Sequence, residues 1–158
     1  MKKQTLIILS LIFIVSCKCK KNNAEMVNNN GKTVNMESVL IAKGNLYGSG
    51  SEGFSKQNMV IENQSDWEEL MNKMDKVNNV SDRFMDTKID FSNYSVIAIF
   101  SDVKGSGGHS IEIDMSKTTK NRIVKVNYIS PKGNATSVMT QPYYITKISK
   151  TDLPIVFQ

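Results

Sequence analysis

The sequence predicts an α+β domain, a mostly antiparallel β-sheet covered by one main helix at about residues 65–77. Three observations carry that prediction. Apolar residues alternate in several short runs separated by Gly, Pro, Asn and Ser, as in hairpin-spaced strands. A single segment, with Trp67, Leu70, Met71 and Met74 and then Val77, repeats at helical spacing. Finally, Val96-Ile97-Ala98-Ile99-Phe100 is continuously apolar, which fits a strand covered on both faces.

The elements follow in order from a domain start near Ser38. Val39, Leu40 and Ile41 predict a first strand, after which Gly44, Gly48, Gly50 and Gly53 punctuate a loop. Met59-Val60-Ile61 marks a second strand. Ser65 with Glu68 three positions later is the capping-box pattern and opens the helix, whose apolar stripe covers the sheet. Residues 94–100 form the doubly buried strand. The glycine-rich stretch 101–108 reads as a hairpin turn in which Gly supplies positive φ. His109, Ile111, Ile113 and Met115 then share one face of a strand, and Val124, Val126 and Tyr128 share one face of the next. A loop at 130–134 leads to a strand around 143–148. Pro154-Ile155-Val156-Phe157 closes the sheet at its edge, where a proline is tolerated.

Composition bounds the chemistry. The 158 residues suit one domain plus appendages. A single His and two Cys leave no His cluster for zinc, no CxxC pair and no multi-bridge disulfide framework, and no metal or cofactor is expected. The formal charge of +5 is concentrated in the first 37 residues, and the remainder carries only +1. A nucleic-acid binder places its basic patch on its fold, so nucleic acid is not an expected partner.

The N-terminus reads as an address. Lys2 and Lys3 precede an almost unbroken apolar run at residues 6–15, too short for a mature membrane span of about 20 residues but fitting a secretory h-region. Ile14-Val15-Ser16-Cys17 resembles the bacterial lipobox, in which the leader is cut between Ser16 and Cys17 and the thiol receives diacylglycerol. The alternative is a plain signal peptide with an incidental cysteine. On the lipobox reading, residues 1–16 are a lipoprotein signal peptide and 17–37 an Asn- and Lys-rich flexible tether. Residues 38–158 then form one domain, held at a bacterial envelope membrane, the outer one by analogy, through the lipid on Cys17. Cys19 is left as a free thiol beside that anchor.

Within the domain, catalytic signals are weak. Gly105-Ser106-Gly107-Gly108 lacks the strand–loop–helix setting of a phosphate loop. His109 lies near Ser106 and Ser110, but the sequence places no acid to orient it as a base. Glu68, Glu69, Glu112 and Asp114 fall on solvent faces of their elements.

The order Ser106-Gly107-Gly108-His109-Ser110-Ile111-Glu112-Ile113, a Pro131-Lys132-Gly133 loop, Thr140-Gln141-Pro142-Tyr143-Tyr144-Ile145 and a final Val156-Phe157 resembles the C-terminal domain of the PrcB family of protease complex subunits. The resemblance spans residues 55–158 and includes the helix that carries Ser65 and Trp67. His109 stands where the family favours Tyr, Tyr144 where it often has His, and Pro-Lys-Gly replaces a commoner Pro-Gly-Pro. The resemblance implies a non-catalytic exported lipoprotein, the family's namesake being an accessory subunit that stabilises a surface protease complex. Its two loops offer candidate partner-binding residues: Gly107, Gly108 and His109 in one, Gln141, Pro142, Tyr143 and Tyr144 in the other. Glycines let a partner approach the backbone, and the Gln-Pro-Tyr-Tyr run is expected as a rigid amphipathic surface. Both sets also have purely structural uses. The alternatives are a protease inhibitor using the same loops, an envelope protein carrying a small ligand in a sheet–helix pocket, and a hydrolase built on His109.

Overall fold

A computed structural model describes residues 34–47 and 49–158. Ser16 and Cys17, with the rest of the signal-peptide and tether readings up to residue 33, lie outside the described residues. Eight strands and one α-helix follow one another: β1 (Val34–Asn35), β2 (Val39–Leu46), β3 (Gln57–Ile61), α1 (Gln64–Met74), β4 (Tyr94–Phe100), β5 (Ser110–Lys117), β6 (Arg122–Ile129), β7 (Gln141–Ser149) and β8 (Ile155–Phe157). The α+β class is as the sequence predicts, but the strands form two four-stranded sheets rather than one. Their orders are β2-β7-β4-β3 and β1-β5-β6-β8.

The layering explains why β4 is apolar throughout. Val96, Ala98 and Phe100 join a core with Trp67, Leu70 and Met74 of α1, while Ile97 and Ile99 join a second core with Ile111, Met115 and Val124 of the other sheet. A central strand covered by a helix on one face and a sheet on the other has no solvent side, so the alternation between polar and apolar residues disappears. β7 pairs with β4 in register from Tyr94↔Ser149 to Phe100↔Tyr143 and with β2 on its other edge.

Several boundaries differ from the sequence reading, each for a local reason. The sheet takes in Val34 and Asn35, which pair with Lys117 and Ser116, upstream of the expected start at Ser38. β2 runs through Gly44 to Leu46 instead of stopping at Ile41, because Gly44 lies opposite Tyr143 and its missing side chain leaves room for that ring. Asn63, not Ser65, caps α1. Its Oδ1 accepts from the Asp66 N–H at 2.9 Å, and its Nδ2 donates to the Asp66 carboxylate. The helix ends at Met74, where the Asp75 carboxylate turns to accept from the Ser81 N–H at 2.8 Å, and Val77 is left 46% exposed. The 101–108 segment is no hairpin turn, since β4 and β5 belong to different sheets and the segment crosses between them. β8 is an edge strand as expected but runs parallel to β6, with Arg122↔Ile155 in register.

Candidate functional site

The two glycine- and proline-bearing loops meet at one end of the sandwich. Ser101 donates its N–H to the Pro142 carbonyl, and Lys104 and Thr140 exchange backbone bonds at 2.7 and 2.9 Å. This brings 101–109 against 130–140. Thr140 Oγ1 donates to the Ser106 carbonyl at 2.8 Å, and the Gly107 N–H donates to the Thr136 carbonyl at 3.0 Å.

Packing decides the residue types here. Gly107 is buried, and a Cβ there would stand 2.5 Å from Thr136 Oγ1 and 3.3 Å from Val138 Cγ1. Gly108 has φ +78°, a left-handed conformation suited to Gly, and a Cβ would approach Pro131 to 3.0 Å. These glycines therefore join two loops of the same molecule.

The Gln141–Tyr144 run is likewise not the open surface that was expected. Gln141 is 1% exposed, and its Nε2 donates to the Phe54 and Ser101 carbonyls at 2.8 and 2.9 Å. Pro142 is buried, and Tyr143 is buried in the helix-side core, with its ring 6.4 Å from Phe100. Tyr144 is half-buried against the core between the sheets. Burial pushes both tyrosines above the usual phenol range. For Tyr143 the Arg83 guanidinium works against that shift, and for Tyr144 the Glu112 carboxylate adds to it. A run that opens on Gln and Pro looks like a loop, but it is the start of a central strand whose amide satisfies two distant carbonyls.

What remains on the surface is the stretch 132–139, exposed along its whole length, with Val138 and Met139 at 42% and 47%. His109 follows Gly108 in the facing loop, its Nε2 3.0 Å from Ser106 Oγ. Among the described residues no carboxylate is hydrogen-bonded to that imidazole, so the pair lacks the third member that orients a catalytic base. The side chains of Glu68, Glu69, Glu112 and Asp114 are exposed, as the sequence reading has them.

Two hollows flank Tyr143. The smaller, about 240 Å³, reaches from Lys43 and Asn45 to His109 and Glu112. The larger, about 510 Å³, lies between β2 and the segment 78–85 and includes Tyr47 and Arg83. Sequence reasoning misses this cleft, because Lys43 and Arg83 are forty positions apart and neither belongs to a local motif. The helix-side hollow against β3, where a carried ligand was one expectation, measures about 190 Å³.

Residues 95–149 match the PrcB C-terminal family. The match is the family the loop motifs resemble, though narrower than 55–158. It opens in β4 and ends with β7, and so takes in the central strands and both loops, while α1 and β8 lie outside it. The PrcB C-terminal match points to a role like that of a protease-complex subunit. Comparison with curated proteins and with solved structures gives no match.

Proposed function

We propose that this chain is a non-catalytic accessory subunit of an exported protease complex, tethered to a bacterial envelope membrane through lipid on Cys17. The observation that carries the reading is the PrcB C-terminal match over residues 95–149. The lipobox Ile14-Val15-Ser16-Cys17 supports the anchor and the envelope location, with the outer membrane as the destination. The near-neutral charge of residues 38–158 favours a protein partner over nucleic acid. Because Gln141, Pro142 and Tyr143 are interior, the loop surface open to a partner is 132–139, held in shape by Gly107 and Gly108 of the facing loop.

The test is crosslinking on intact cells, detergent extraction, affinity capture of the chain and mass spectrometry. A stoichiometric protease or protease-complex subunit is the expected result. Recovery of the chain alone would overturn the reading.

A second reading, protease inhibition, is favoured by the exposed 132–139 loop, which is held at its middle by the Thr136–Gly107 bond and just past its C-terminal end by the Thr140–Lys104 bonds. Titrating the chain into an envelope protease assay separates the two. An inhibitor lowers turnover, and a stabilising subunit lengthens the active lifetime.

A further inference from the structure

We infer that the cleft beside Tyr143 is a docking groove for an extended, acidic peptide segment of a partner protein, added as a strand along β2. This deepens the accessory-subunit reading and rests on it for the partner's identity.

Strand position is the first argument. β2 is the terminal strand of the order β2-β7-β4-β3, with a neighbour on one side only. The cleft is lined by residues 40–45, six consecutive positions. Successive side chains of a strand point to opposite faces, so a hollow touching all six runs along the strand's free edge, where backbone N–H and C=O groups are open to another chain. The protein closes that edge at one point, through the Met85 N–H donated to the Ile41 carbonyl at 2.9 Å. Among the described residues no other backbone hydrogen bond reaches β2 from this side, and strand addition is the recognition mode such an edge supports. At about 3.3 Å per residue the lined stretch extends about 17 Å, enough for a peptide of about five residues.

Charge is the second argument. Lys43 and Arg83 both line the cleft, no Asp or Glu does, and neither cation forms an ion pair among the described residues. Asn45, also in the lining, has a buried amide oxygen without a hydrogen-bond partner. Tyr47, about half exposed, adds an amphipathic side wall of the kind enriched at protein interfaces. Cations facing an open edge select acidic side chains on the incoming strand. The chain's own residues 1–33 carry an excess of lysine and have the wrong charge to occupy the groove.

The test pans a random dodecapeptide phage library on the purified full-length chain, then measures the enriched peptides by fluorescence anisotropy and amide hydrogen exchange. Enriched peptides should be rich in Asp and Glu and should slow exchange at residues 43–46. They should bind K43E/R83E about tenfold more weakly, and K43Q/R83Q to an intermediate degree, with Lys125→Glu on the other sheet unchanged. Both cations are exposed, so these variants should keep the wild-type melting temperature. Absence of enriched peptides, binders lacking acidic residues, protection elsewhere, or equal displacement by free glutamate would each overturn the proposal. Running the crosslinking capture on K43E/R83E separates the two ideas. A complex captured equally by wild type and variant leaves the subunit standing without the groove. Acidic binders from the library with no captured complex leave the groove standing without the subunit.

Discussion

Gly107 donates its N–H to the Thr136 carbonyl, and a Cβ at 107 would fall 2.5 Å from Thr136 Oγ1, so the loops of the candidate site touch without space for a methyl group. Gly107→Ala should therefore lower stability by about 1–3 kcal/mol, the usual cost of overpacking. Thr136→Ala should be nearly neutral, because the residue is exposed and its hydroxyl makes no hydrogen bond among the described residues. Combined, Gly107→Ala/Thr136→Ala should recover part of the loss, since Val138 Cγ1 at 3.3 Å still crowds the new methyl. Urea denaturation of the four proteins in this cycle checks the coupling. Additive effects would mean that the loops do not press on each other here.

Gln141 supplies the second prediction. Its amide bridges the Phe54 and Ser101 carbonyls from a position 1% exposed. Gln141→Met keeps the volume and leaves both carbonyls without that donor, at a cost of about 2–4 kcal/mol. The same variant, once folded, should retain any loop partner, because the side chain never reaches the surface. A large stability loss in thermal unfolding alongside unchanged capture is the expected pair of results.

These two residues also show what the sequence discloses. The stripe of Trp67, Leu70 and Met74 is legible because a surface helix has to gather its apolar residues at helical spacing, and those three are buried. The run 96–100 announces that both faces are covered but not by what. A helix on one side and a second sheet on the other leave the same pattern, so the two-sheet arrangement escapes. Gly108 needs a positive φ in a hairpin and in a crossover alike, and the 101–108 turn is misread for that reason. Gln141 and Pro142 look like loop chemistry because the partners of that amide lie 87 and 40 residues away. Lys43 and Arg83 meet only through folding, which no local pattern of charge reports.

Asp86 and Lys147 form the ion pair that ties the 84–90 connection to central strand β7. The hydrogen bond from Lys147 is the main cause holding the Asp86 carboxyl below its usual range. Burial opposes it, and the Lys88 N–H reinforces it. A carboxylate with a depressed folded pKa contributes stability that is complete above its unfolded pKa, near 3.9, and lost as pH falls through the lower folded value. Asp86 keeps 31% of its side-chain surface, so water screens the pair and its contribution is about 0.5–1 kcal/mol. Asp86→Asn should be less stable than wild type by that amount near neutral pH, and the two curves should converge as pH falls through the lowered folded pKa of Asp86. Asp90, held low chiefly by the hydrogen bond from Ser92, is present in both proteins and cancels from the difference. Denaturant midpoints from pH 2 to 7 give the comparison, and a constant gap across that range would remove the ion pair as its cause.

The exposed loop provides the sharpest separation between the accessory and structural roles of this end of the molecule. Val138 and Met139 present apolar side chains to solvent, and neither belongs to either buried core. Val138→Ser/Met139→Ser should shift unfolding by no more than about 0.5 kcal/mol, as for other surface changes. If the loop docks a partner, truncating two apolar side chains at its C-terminal end should weaken that contact by about 1–3 kcal/mol, a roughly five- to 150-fold loss of affinity. His109→Ala removes the imidazole that meets Ser106 and tests the facing loop. Crosslinking capture with both variants reads the outcome. Partner recovery that falls with the serine pair while stability holds assigns the loop to recognition. Unchanged recovery, with K43E/R83E then abolishing it, moves recognition from the loop end of the sandwich to the open edge of β2.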